Sequence, residues 1–368
     1  MREGNMREVN MKADNVKAWE SGIRRVKPYV PGEQPQDKSV IKLNTNENPF
    51  PPAPGVQRVL RSMDVDSLRL YPDPSIGLLV DELSSFYQVD KDQVFVGVGS
   101  DDVLSIAFLT FFNSKKPILF PDITYSFYPV WCDLYRIPYE TQPLDKDFNI
   151  VKEDYYKENG GVVIANPNAP TSIYEDFSTI GDIVSHNPNS ILIIDEAYID
   201  YAKESALPLV NRYDNLLIVQ TFSKSRSMAG MRIGYAIGSK KLIKALNDVK
   251  YSFNSYTLNQ TAILMGVEEV KDREYFYERI RNVLDIRKDS EIEFKRLGFS
   301  FPESGTNFLF VTHEFIPAKE LYIVLKENGI YVRHFDLPRI DNHLRISIGS
   351  RQQMNKLFDF LNMYISSR

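Results

Sequence analysis

Two residues of this chain have the types and the setting to act together on one small molecule. Lys224, in Thr221-Phe222-Ser223-Lys224, follows the apolar run Leu216-Leu217-Ile218-Val219-Gln220, and Asp195 ends another such run, Ile191-Leu192-Ile193-Ile194. Buried strands that deliver a carboxylate and an amine to one edge of a sheet suit a pyridine aldehyde: the amine forms a Schiff base and the carboxylate keeps the ring nitrogen protonated. The pairing points to pyridoxal phosphate. Most lysines are solvated surface groups, but small residues follow Lys224 and Arg232 lies eight positions on, able to grip a phosphate through two parallel hydrogen bonds. Ser223 adds a hydroxyl.

Three further motifs read two ways each. Gly97-Val98-Gly99-Ser100-Asp101-Asp102 follows a strand and opens a helical pattern, so its free N–H groups and Ser100 hydroxyl suit a phosphate. A capped helix start is the plain alternative, and a dinucleotide fingerprint fails because its third glycine is missing. Asn166-Pro167-Asn168-Ala169-Pro170-Thr171 reads on spacing as a turn; the functional alternative is that Asn166 donates to the ring's phenolic oxygen. Asp195-Glu196 could belong to the magnesium site of a nucleotide hydrolase, but the phosphate-binding loop such an enzyme needs is absent from the sequence. Under the pyridoxal reading Tyr198 reaches the phenolic oxygen too. The four histidines, His186, His313, His334 and His343, show no metal-ligand spacing, so no metal is expected.

The elements that must position these groups follow from apolar periodicity. From about Leu68 to Tyr256, runs at 94–98, 117–120, 161–165, 191–194, 216–220 and 232–237 alternate with helical patterns. Strands apolar on both faces imply an α/β fold with a mainly parallel sheet sandwiched by helices, and ligands at the strands' carboxyl ends. After about Asn259 the pattern predicts a long amphipathic helix near 273–297, strands at 307–311, 330–333 and 344–348, and helices over 318–327 and 352–365, which make a smaller α+β lobe. The expected organisation is an N-terminal arm over 1–39, with a short helix around Val16 to Ile23, a large cofactor-binding domain over 68–258, and a small domain of 40–67 with 259–368.

Bulk properties narrow the function. At 368 residues the chain exceeds one core, and 44 basic against 49 acidic residues leave a formal charge of −5, which offers nothing to nucleic acid or anionic membranes. A small-molecule partner is expected. The lone Cys132, the absence of a leader-like start and apolar stretches too short to cross a bilayer predict a cytoplasmic protein.

Taken together, Asn166-Pro-Asn-Ala-Pro-Thr, Asp195-Glu-Ala-Tyr198, Ser223-Lys224 and Ala229-Gly-Met-Arg232 resemble the fold-type-I, pyridoxal-phosphate-dependent aminotransferases in order and spacing. Within them, Lys27-Pro-Tyr-Val-Pro-Gly32, Asn46-Glu-Asn-Pro-Phe50, Leu70-Tyr-Pro72 and Leu344-Arg-Ile-Ser-Ile-Gly349 are similar to the histidinol-phosphate aminotransferase group. Two departures stand beside the match: Ser172 replaces the usual glycine, and Ala169 a common second asparagine, so that loop is expected to turn differently.

The resemblance implies a seven-stranded sheet and a homodimer with shared active sites. It gives Lys224 as the Schiff-base lysine and proton shuttle, Asp195 as partner of the ring nitrogen, Asn166 and Tyr198 on the phenolic oxygen, and Tyr125 stacked on the ring. Ser100, Asp101, Ser223 and Arg232 would hold the phosphate, joined by Tyr71 of the other subunit. Tyr29, Asn48, Arg333 and Arg345 would bind substrate, either the phosphate ester of histidinol phosphate or a carboxylate of glutamate, since a guanidinium fork matches both anions. The implied reaction is a ping-pong transamination between histidinol phosphate and 2-oxoglutarate in histidine biosynthesis. An aromatic amino-acid aminotransferase and a threonine-phosphate decarboxylase are alternatives on the same scaffold. A pyridoxal-binding transcription regulator would need a DNA-binding module that the short arm does not supply.

Overall fold

A computed structural model of the chain describes residues 17–37 and 39–367. Its main sheet has seven strands in the spatial order Val94–Gly97, Gly234–Gly238, Leu216–Thr221, Leu192–Asp195, Gly161–Ala165, Ile118–Pro121 and Tyr139–Gln142. All run parallel except Gly234–Gly238, which is antiparallel to both neighbours. Six of these strands are the apolar runs read from the sequence. The seventh, Tyr139–Gln142, is an edge strand with three exposed residues, so no apolar run announced it.

Alternation along the central strands explains the layers. Val163, Ile193, Leu217 and Val219 point to one face, where they meet the helices Gly99–Phe111, Phe127–Tyr135 and Lys240–Phe253 through Phe108, Tyr128, Trp131 and Leu246. Val162, Ile164, Leu192, Ile194 and Ile218 point the other way, under the helix Phe177–Ser185. With both faces covered, the strands must be apolar throughout. Asp195 shares the parity of Ile193, so its carboxylate leaves the strand on the side of the helix that carries Tyr128.

The C-terminal region builds a second, antiparallel sheet in the order Arg333–His334, Leu344–Ser347, Phe308–His313 and Phe299–Ser300. It packs on the 24-residue helix Arg273–Arg296 and on Ala318–Glu327 and Arg351–Ser366. Ile41–Lys42 pairs in parallel with Ile330–Tyr331. The single strand expected over 330–333 is therefore divided between two sheets. The short helix expected over Val16 to Ile23 is a 3-10 turn, Ala18–Gly22; residues 1–16 of the arm lie outside the described residues. Among the described residues no helix is long and apolar enough to cross a membrane.

A buried ion pair ties the segment before the helix Pro54–Ser62 to the C-terminal helices. Glu269 and Arg279, 0% and 1% exposed, pair side by side; Glu269 also accepts from the Ala53 N–H (2.7 Å), and Arg279 donates to the Pro51 carbonyl (3.0 Å). Removing one member of such a pair strands the other charge. Arg279→Ala is expected to lower unfolding free energy by about 3–5 kcal/mol in urea titrations; a loss below about 1 kcal/mol, typical of an exposed pair, would contradict this account.

Candidate active site

The carboxyl ends of the central strands open into a cavity of about 390 Å³. Lys224 enters it from the loop after Leu216–Thr221. Its Nζ donates to the Thr45 carbonyl (3.0 Å) and sits 5.6 Å from the centre of the Tyr198 ring. The loop is anchored two residues on by Arg226, wholly buried, whose guanidinium lies 4.1 Å from the ring centre of Phe276, 4.7 Å from Phe86 and 5.2 Å from Phe222.

Asp195 faces the cavity from the end of its strand, 5% exposed. One carboxylate oxygen accepts from the Tyr128 hydroxyl (2.9 Å) and the other from the Ala197 N–H (3.2 Å). Burial pushes its pKa up to about 6, against the pull of those two hydrogen bonds. No lysine or arginine among the described residues pairs with it at ion-pair distance. Glu196 points the opposite way, bound by Ser205, Ala206 and Gln220, and burial pushes it to about 7. The Asp-Glu pair is thus split across the sheet, and no metal-ligand cluster exists among the described residues.

One end of the cavity is made for an anion. Gly99–Phe111, which starts at the cavity, has no side-chain N-cap, a trait it shares with Pro54–Ser62, Gly77–Tyr87, Phe127–Tyr135 and Ala318–Glu327; what sets it apart is Arg232 beside it. Gly99 takes φ +83°, and a Cβ there would lie 2.5 Å from an Arg232 nitrogen, so glycine lets the guanidinium lie against the helix start. A Cβ on Gly234 would meet the Ser100 nitrogen at 2.2 Å, which explains the closeness of strand and helix. Ser100, Ser223 and Arg232 line this end. Asp101 has a different part from the one expected: its carboxylate, which cannot donate to an anion, accepts from Tyr125 (2.7 Å) and from Arg232 (3.1 Å) and so orients both. Only its backbone N–H is suited to a phosphate.

The other end holds Arg345, in mid-strand. It donates to the Asn44 carbonyl (2.8 Å), its Nε has no partner, and no carboxylate pairs with it among the described residues. Arg333 stands directly across the strand pair from it, and lines an adjoining cleft of about 900 Å³ with Tyr29 and Tyr125. Tyr29 stacks on Phe127 with ring centres 4.2 Å apart.

Two residues expected in this cavity lie elsewhere; Tyr71, expected at the partner's site, is also outside it. Both ends of the Asn166 amide are taken by the Glu175 backbone (2.9 Å each), and Ala165, Pro167 and Ala169 line the cavity instead. Asn48 does not line it either: its amide donates to the Ser225 carbonyl (3.1 Å) and Tyr201 (3.3 Å), bracing the lysine loop from behind. Tyr71 is 83% exposed and stacks on Tyr256, away from this chain's own cavity. Ser172 takes φ +67°, so the loop keeps a left-handed turn of the kind a glycine favours. Sequence reasoning missed Tyr128 and the contacts of Asn44 to Asn46; the quoted Asn46-Glu47-Asn48 motif was the only pointer to the latter.

A buried carboxylate without a cation, an amine, an uncapped helix start beside Arg232 and a second unpaired guanidinium together fit a pyridine aldehyde carrying a phosphate. The profile of the class I and II aminotransferases matches residues 38–361. The chain belongs to that family. It is 47% identical over 348 residues, 95% of this chain and 97% of the relative, to the histidinol-phosphate aminotransferase of Lactococcus lactis subsp. lactis (strain IL1403). The aminotransferase fold is shared with the histidinol-phosphate aminotransferase structure from Clostridium acetobutylicum (TM-score 0.82, 21% identity, 89% of this chain and 100% of that one). It is also shared with the Sinorhizobium meliloti enzyme in complex with pyridoxal-5'-phosphate (TM-score 0.80, 21% identity, 89% and 91%).

Asp195 is raised from 3.8 to about 6 and Glu196 from 4.5 to about 7. Over that window the folded, cofactor-free aminotransferase binds more protons than the unfolded chain, so these two groups make stability fall as pH rises from about 4 to 7. Asp195→Asn removes one of them. Urea midpoints of cofactor-free protein should move in the variant's favour, relative to wild type, as pH rises through this range; a pH-independent difference would refute the assignment.

Proposed function

We propose that this aminotransferase uses pyridoxal phosphate to move an amino group between histidinol phosphate and 2-oxoglutarate, as a cytoplasmic enzyme of histidine biosynthesis. The observation that carries this is one cavity with Lys224 and Asp195 between two anion sites, the helix start with Arg232 at one end and the unpaired Arg345 at the other. One site suits a cofactor phosphate and the other the anionic end of a substrate. The name borne by the 47% identical relative supports the same choice.

When bound, pyridoxal phosphate supplies an aldehyde that takes up amines and a ring that accepts electron density from Cα. In this proposal Lys224 Nζ would anchor the cofactor and, as a free amine, would take the proton from the substrate's Cα. Asp195 holds the proton on the ring nitrogen, a task for which a buried carboxylate lacking a cation is suited. Tyr198 donates to the phenolic oxygen and Tyr125 packs on the ring. Ser100, the Asp101 N–H, Ser223 and Arg232 hold the phosphate. Arg345, Arg333 and Tyr29 bind the substrate anion, and one guanidinium pair serves phosphate ester and carboxylate in turn. On this reading residues 68–258 carry the cofactor, while 40–67 with 259–368 bring Arg333 and Arg345 to it.

Borohydride reduction of the cofactor-loaded protein followed by peptide mapping should place the pyridoxyl group on Lys224, and amino transfer from histidinol phosphate to 2-oxoglutarate should exceed that from phenylalanine. Arg345→Ala should lower kcat/KM for histidinol phosphate roughly a hundredfold, the worth of one or two charge-assisted hydrogen bonds. A preference for phenylalanine would sink the substrate choice, and an adduct on another residue the whole reading.

The exposed apolar residues Val65, Leu68, Leu70, Tyr71 and Phe253 support a further part of the proposal, a homodimer in which Tyr71 reaches the partner's phosphate site. Light scattering should give a dimer mass at micromolar protein, and Leu68→Glu with Leu70→Glu should give a monomer that releases cofactor. A monomeric wild type would contradict it.

A further inference from the structure

Three consecutive residues touch three different groups of the cavity, two through the backbone and Asn46 through its side chain. The Asn44 carbonyl accepts from Arg345 (2.8 Å), the Thr45 carbonyl from Lys224 (3.0 Å), and the Asn46 amide donates to the Tyr198 hydroxyl (2.9 Å). Asn46 is 1% exposed and takes φ +58°, a left-handed conformation that asparagine tolerates better than most residues.

The hydrogen-bond directions around Asn46 follow from one unambiguous donor. Its backbone N–H can only donate, and it donates to Ser347 Oγ (2.9 Å). Ser347 Oγ in turn has its single proton left for Asn46 Oδ1, 2.8 Å away. With the amide reversed, Ser347 Oγ would receive from both Asn46 nitrogens and its buried proton would have no acceptor among its contacts, so Oδ1 faces Ser347 and Nδ2 faces Tyr198. Tyr198 therefore accepts from Asn46. Its own proton has no other acceptor among its contacts and is left to point into the cavity. Ser347 lies two residues beyond Arg345 on the same strand, and the Asn46 carbonyl is held by Asn307, just before the neighbouring strand (2.9 Å).

We propose that Asn46 is a positioning residue that obliges Tyr198 to donate its hydroxyl proton into the cavity, and that ties this donor to the strand bearing Arg345. The inference rests on the reading that Tyr198 faces the cofactor's phenolic oxygen. A donor on that oxygen withdraws electron density that otherwise helps retain the proton of the lysine-bound chromophore. Without Asn46 the hydroxyl is free to rotate away, and the chromophore keeps its proton to higher pH.

The test is an absorbance titration of cofactor-loaded wild type, Asn46→Gly, Tyr198→Phe and the double variant. Glycine accommodates the left-handed backbone and preserves the N–H to Ser347. Asn46→Gly is expected to raise the titration midpoint by about half a unit or more, Tyr198→Phe to raise it as well, and Asn46→Gly to add nothing in the Tyr198→Phe background. Ser347→Ala, which frees the amide to flip, is expected to shift the midpoint in the same direction by less, and it keeps the inference open to refutation if the glycine variant does not fold. A wild-type midpoint in Asn46→Gly, or an equal shift in both backgrounds, overturns the inference while leaving the proposed function standing. A wild type that forms no lysine-bound chromophore overturns the proposed function and this inference with it.

Discussion

Asp195 is a carboxylate held out of water at the end of a central strand, with no lysine or arginine of the described residues at ion-pair distance to neutralise it. Desolvation of that kind is unfavourable, and it persists only because the sheet around it is packed on both faces and gives the side chain nowhere else to go. The hydroxyl of Tyr128 and one backbone N–H offset part of the penalty. What remains is a site that discriminates strongly in favour of a ligand bringing a positive charge. The polarity of the cavity is laid out around it: guanidinium groups, Arg232 and Arg345, stand at either end, and the carboxylate stands between them.

The reversed strand Gly234–Gly238 makes that arrangement possible. Running antiparallel between Val94–Gly97 and Leu216–Thr221, it brings Arg232, just before its start, to the same edge as the helix that opens at Gly99. The loop carrying Lys224 is the connection into this strand. A single chain reversal thus puts the amine, the guanidinium and the free helix N–H groups within one small volume, although residues 99 and 232 are remote in sequence.

Much of this architecture could be read from residues alone because buried strands must be apolar on both faces, and six of the seven leave that trace. Tyr139–Gln142 escaped because an edge strand exposed to water carries no such mark, and Phe299–Ser300 because two residues make no pattern. Asp195, the last residue of its strand, and Lys224, three residues past the end of its own, were legible for the same reason: a charged group close behind a buried apolar run is carried to the sheet's edge. Asn166 also follows a strand, yet its amide is turned to Glu175, since a side chain next to its own turn satisfies the turn's backbone first. Contacts made by the Asn44 to Asn46 segment were not legible, because they join residues some 150 to 300 positions apart, two of them through backbone carbonyls that any sequence supplies and one through the Asn46 side chain.

Arg226 is held by more than the titrating groups around it, Tyr87, Tyr235 and Asp200. Its charge is moored over the faces of Phe86, Phe222 and Phe276, and an aromatic ring has no proton to gain or lose. Acid or alkali that neutralises the carboxylates nearby leaves those rings untouched. The hairpin that presents Lys224 thus has one rivet that acidity leaves alone, beside a second fastening, the Ser225 hydroxyl on the Asp200 carboxylate, that answers to the protonation of Asp200.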